Sequence, residues 1–102
     1  MVADADIQVW LEFFNRTRPS IIVPYIQSNE SRTLRYQVRT VTQGASGRSV
    51  VSQGGMVNLL PATPTPLGKL SVNADGADAC SIDVAISEPG SKDLSYHFTC
   101  PD

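Results

Sequence analysis

The chain has 102 residues, of which 41% are hydrophobic, so it holds one domain with a single modest core. A net charge of −2 and a sequence pI of about 5.2 argue against a general nucleic-acid binder. No apolar run approaches the ~18 residues needed to cross a bilayer as a helix.

Residues 1–6 are small and acidic and are expected to form the disordered start of a chain whose export signal has been removed, with a native cytosolic start as the alternative. Period-two alternation then dominates, and helical periodicity is nearly absent. Ile7, Val9, Leu11 and Phe13 alternate with Gln8, Trp10, Glu12 and Phe14 in a first strand. Trp10 and Phe14 fall on its second face, either as partial cover for an edge strand or as an adhesive surface. Turn-forming Asn15 to Ser20 leads to Ile21–Ser28, where Pro24 lacks an N–H and predicts an edge position or a bulge. After a polar turn over Asn29–Thr33, residues 34–42 place Leu34, Tyr36, Val38 and Thr40 inward and Arg35, Gln37, Arg39 and Val41 outward.

Gly44-Ala45-Ser46-Gly47 reads as a flexible turn, and Arg48–Leu60 as a longer strand with a bulge at Gly54-Gly55. Leu60–Pro66 (LPATPTP) is too rich in proline for a central strand and reads as a crossover between two sheets. Leu67–Ala74, Ala79–Ser87 and Lys92–Cys100 complete seven strands. This spacing of short strands and turns predicts an all-β, immunoglobulin-like sandwich over residues 7–102.

Glu88-Pro89-Gly90-Ser91 is a strong turn signal, with Cys80 and Cys100 equally spaced on either side of Gly90. Facing Cys80 with Cys100 also pairs Ile82 with Phe98, Val84 with Tyr96 and Ile86 with Leu94, all apolar against apolar. A one-residue slip would break every pair, so the cysteine and hydrophobic registers agree. A structural disulfide is the expected outcome, and with it an oxidising compartment such as a periplasm. Two buried thiols and a redox couple are the alternatives, although redox cysteines are usually closer in sequence.

Catalytic signals are missing. His97 is the one histidine and sits on the outward face of the last strand, where a solvated role is commoner than a general base. Asp75 and Asp78 fall short of a calcium loop's ligand number, and no cysteine–histidine cluster suggests a transition metal. No nucleophile elbow, phosphate loop or dinucleotide fingerprint occurs, so neither an enzyme nor a cofactor is expected.

The charge distribution is more informative. Residues 13–69 hold Arg16, Arg18, Arg32, Arg35, Arg39, Arg48 and Lys69 against Glu30 alone, and the flanks hold nine acids against Lys92. Arg35, Gln37 and Arg39 stand in one outward row, with Arg32 at its start and Arg48 opening the next strand. Exposed strand charges often only solvate or guard an edge. Their concentration here also suits a surface for an acidic or polar extended partner, with arginine able to bond amide side chains.

Gln43-Gly44-Ala45-Ser46-Gly47-Arg48-Ser49, Leu59-Leu60-Pro61-Ala62 and Leu67-Gly68-Lys69-Leu70-Ser71-Val72-Asn73 resemble the curli-assembly CsgC/CsgH family, as does strand order over most of residues 7–98. The paired cysteines look more like the CsgH branch. The resemblance implies a periplasmic, monomeric inhibitor that binds the curli major subunit weakly and blocks its amyloid formation. Its candidate client-binding residues here are Arg32, Arg35, Gln37, Arg39 and Arg48. The CsgC branch carries Cys-x-Cys where this chain has Leu34-Arg35-Tyr36, so a redox role cannot transfer. A structural or adhesive module of a surface protein is the competing expectation.

Overall fold

The computed structural model describes residues 7–15, 20–44, 47–72, 79–90 and 92–100. They form β1 (Gln8–Asn15), β2 (Ser20–Gln27), β3 (Arg32–Gly44), β4 (Gly47–Leu59), β5 (Thr65–Pro66), β6 (Leu70–Val72), β7 (Ala79–Ser87) and β8 (Leu94–Thr99). One antiparallel sheet joins β1 to β2, with β5 and β6 both pairing with β2. The other runs β4-β3-β7-β8 and is also antiparallel. The expected all-β sandwich is therefore observed, with Thr65–Pro66 as an additional short strand inside the crossover. Residues 1–6, the acids Asp75 and Asp78, and residues 16–19 and 45–46 of the two expected turns lie outside the described residues.

Alternation carries the core. Ile22, Ile26, Leu70 and Val72 from one sheet meet Leu34, Val38, Ile82, Val84 and Ile86 from the other. Leu59 and Leu67 close the space from the crossover's two ends. Burial of such side chains contributes roughly 1.5–3 kcal/mol each before the entropy of ordering them is charged against it. Thr40 is an exception among these aliphatics: its Oγ1 is buried without a hydrogen-bond partner. Thr40→Val keeps the shape and removes the unmet polar group. It is expected to stabilise the fold by about 1 kcal/mol, visible as a melting temperature higher by ~4–8 °C.

Two local expectations need correction. Pro24 is neither on an edge strand nor at a bulge, because β2 lies between β1 and the β5/β6 pair and the register through Leu11↔Pro24 is regular. The proline is tolerated because its backbone faces the interval between β5 and β6. There its carbonyl accepts the Leu67 N–H at 2.8 Å and no ladder donor is required of it. Likewise no bulge occurs at Gly54-Gly55, since β3 and β4 keep one register from Arg32↔Leu59 to Gly44↔Gly47. The glycines make room instead. A Cβ on Gly54 would lie 3.1 Å from the Tyr36 carbonyl oxygen, and one on Gly55 would lie 3.4 Å from the Tyr36 hydroxyl.

The crossover is held at both ends. Ala62 N–H donates to the Ser28 carbonyl at 2.7 Å, matching the Leu67–Pro24 bond farther on. At Gly68 the chain takes φ +136°, and a side chain would collide with Gln53 Oε1 at 2.7 Å. The two backbone bonds fix the crossover to β2 and the turn after it, and Gly68 meets β4 at the Gln53 side chain.

Candidate functional site

Alternate residues of β3 face outward, so Arg35, Gln37 and Arg39 form one exposed row. The β4 partners of these three residues are Met56, Gly54 and Ser52, and their β7 partners are Ser87, Ala85 and Asp83. Arg48 pairs with Gln43 and projects from this same face. At ~3.3 Å per residue, Arg35 and Arg39 are about 13 Å apart along the strand. β3 and β4 together contain no Asp or Glu, so this two-stranded ribbon is purely cationic. Among the described residues, Arg35, Arg39 and Arg48 form no ion pair.

Arg32 does not join that row. Its parity turns it inward, and only 10% of its side chain is exposed. Nη1 donates to Glu88 Oε1 at 2.8 Å and Nε donates to Ser28 Oγ at 2.9 Å, with Glu30 3.6 Å from Nη2. It ties the turn after β2 to the end of β7. Sequence spacing suggested a continuous basic row, but Arg32 differs by one residue in phase from Arg35 and Arg39.

The acidic relief on this face is concentrated opposite Arg39. Asp83 is the β7 partner of Arg39 and the β8-facing partner of His97. His97 Nδ1 lies 2.5 Å from Asp83 Oδ1, and both side chains are substantially exposed. The histidine is thus a solvated cross-strand partner, without a nucleophile or metal cluster among the described residues. A depression of about 530 Å³ runs between the strands beside Arg35, Gln37, Gly54 and Met56, with Asp93 at its rim.

The outward face of the other sheet has a different character. Trp10 stacks on its register partner Tyr25, with ring centroids 5.8 Å apart and planes 14° from parallel. Phe14 remains 61% exposed beside Ile21 and Val23, in a shallow apolar groove of about 690 Å³ that ends at Lys69. Trp10 therefore has cover from Tyr25, while Phe14 does not.

The last hairpin joins Cys80 to Cys100 in a disulfide, with Cα atoms 5.3 Å apart. Ile82↔Phe98, Val84↔Tyr96 and Ile86↔Leu94 stand in the register expected from the sequence. No cysteine occupies the Leu34-Arg35-Tyr36 segment, and neither of the chain's cysteines is free. Cys80 and Cys100 pack against the core, on the side of the sheet opposite the exposed arginine row.

A family model described as thin aggregative fimbriae synthesis protein, Tafi-CsgC, matches residues 1–98. Curli assembly protein CsgC of Salmonella typhimurium is 31% identical over 77 residues, covering 76% of this chain and 71% of that protein. The Escherichia coli K12 protein of the same name is 32% identical over 88 residues, covering 83% and 80% respectively. The structure of E. coli curli protein CsgC in its SeCys form superposes with a TM-score of 0.80 at 27% identity, over 90% of this chain and 97% of that one. The solution structure of R. palustris CsgH gives 0.74 at 16% identity over 91% of each chain, a likeness of fold. With the fold, the strand order and a family match over nearly the whole length in agreement, the chain belongs to the CsgC family of thin aggregative fimbriae synthesis proteins.

Proposed function

We propose that this protein is a chaperone-like, non-enzymatic factor of curli biogenesis that acts in the periplasm. It delays amyloid formation by the curli major subunit through weak, transient contact. The observation that carries this reading is the acid-free β3–β4 ribbon with Arg35, Arg39 and Arg48 exposed and without an ion pair among the described residues, in a chain whose relatives are named curli assembly proteins. A cationic strand face attracts acidic or amide-rich extended chains through long-range charge and guanidinium hydrogen bonds. Contacts on an open face are individually weak because water screens them. Weak contact suffices when the target is a rare nucleus rather than the whole subunit pool.

The test is fibril growth of the curli major subunit followed with an amyloid-binding dye. A several-fold substoichiometric amount of this protein is expected to lengthen the lag phase severalfold. An unchanged lag would reject the reading. A structural or adhesive module has less support, because the relatives that match most of this chain are named curli assembly proteins.

A further inference from the structure

We infer that the free edge of β4 is a strand-addition site for an acidic, extended polypeptide segment, which pairs its backbone with β4 and lays its carboxylates beside the arginines of the outward face. This rests on the client-binding reading above and deepens it, by naming the edge that captures the segment and the chemistry that the segment carries.

β4 is the outermost strand of its sheet, and an antiparallel strand directs alternate backbone groups to either side. Roughly half of its N–H and C=O groups therefore face away from β3 and offer a template for another strand. Exposed edges are normally blunted by shortness, bulges, proline or inward charge. β1 has a bulge between Phe13 and Asn15 and the acid Glu12 near its middle. β8 is only six residues long. β4 has none of these guards: it runs 13 residues in unbroken register, has no proline, and carries Arg48 as its one charge. It also exposes apolar surface along its length, with Val50 45%, Val51 49% and Met56 64% accessible.

Charge decides what fits there. The ribbon carries arginine and no acid, so a second copy of this chain docking β4 against β4 would bring two cationic ribbons together. An acidic strand instead gains attraction all along the contact. Such a strand lies ~4.8 Å beyond β4 and about 9.6 Å beyond β3, which brings its outward carboxylates beside Arg48 and within reach of the longer β3 side chains. The β4 residues in between are small where it matters: Ser52 stands opposite Arg39, and Gly54 opposite Gln37. Neither screens the β3 row from the edge.

The probe is a synthetic twelve-residue peptide that alternates valine or threonine with aspartate and glutamine, titrated into isotopically labelled protein. Amide shifts and slowed hydrogen exchange are expected along β4 from Arg48 to Asn58, with the far edge at β8 unmoved. The same peptide with alternate backbone nitrogens methylated keeps its charge and side chains but cannot complete the ladder. Its affinity is expected to fall at least about tenfold. Equal binding by both peptides, or perturbation confined to Arg35, Gln37 and Arg39 side chains, would overturn edge capture while leaving delayed fibril growth intact. Dimerisation of the free protein through β4 would also overturn it, by making a second copy the occupant. A protein that delays fibrils and binds the unmethylated peptide preferentially at β4 supports both readings.

Discussion

Replacing Cys80 and Cys100 together by serine is expected to destabilise the domain by about 3 kcal/mol, without changing which surface it presents. The bridge closes a loop with a sequence separation of 20, and in the chain-entropy picture the loss comes from the greater freedom of the unfolded chain. Domains of this size have only ~5–15 kcal/mol in total, so the loss is a large share. Melting should fall by roughly 12–24 °C in the double variant. Thermal and denaturant unfolding of the oxidised protein, the reduced protein and the serine variant measure this directly. The native contacts beside the bridge predict that the fold survives: Cys100 N–H still donates to the residue 80 carbonyl, at 3.1 Å in the parent, and three apolar cross-strand pairs follow. If fibril delay vanishes in the serine variant at a temperature where it is fully folded, the bridge acts in function and not only in stability.

The same hairpin shows which parts of the structure were legible in the sequence. There two independent constraints, the cysteine spacing and period-two hydrophobicity, demand one register, and a slip of one residue violates both. The β3 row was legible for a related reason, because Leu34, Val38 and Thr40 fix the inward phase and leave Arg35 and Arg39 outward. Arg32 departs from the expected row because a cluster of like charge in sequence says nothing about phase. Its partners Ser28 and Glu88 come from segments that only the tertiary fold brings together. Pro24 and the Gly54-Gly55 pair depart from expectation on similar grounds. Pro24 depends on a gap between β5 and β6, and Gly55 depends on the position of the Tyr36 ring, both long-range features. The unguarded β4 edge is not written in the sequence either, since whether a strand is an edge is a property of topology rather than composition.

Arg35→Glu combined with Arg39→Glu is expected to abolish most of the lag extension while leaving the fold intact. Each replacement changes the charge by two units, taking the chain from −2 to −6 and reversing the sign of the outward β3 row. Both positions are exposed and unpaired among the described residues, so stability should change by only about 0.5 kcal/mol at each site. Inhibition by the parent should weaken as ionic strength rises, because the Debye length shortens from ~10 Å at 0.1 M to ~3 Å at 1 M. Lysine replacements at the same two sites separate charge from guanidinium geometry: retained inhibition assigns the effect to charge alone, and partial loss assigns part of it to bidentate bonding. Arg32→Gln supplies the opposite pattern. It breaks the Glu88 and Ser28 contacts of a mostly buried guanidinium and is expected to cost about 2–3 kcal/mol, with fibril delay preserved wherever the protein is folded. Equal inhibition by the double glutamate variant and the parent would remove the basic row from the mechanism. The β4 edge would then have to capture its partner through backbone pairing alone.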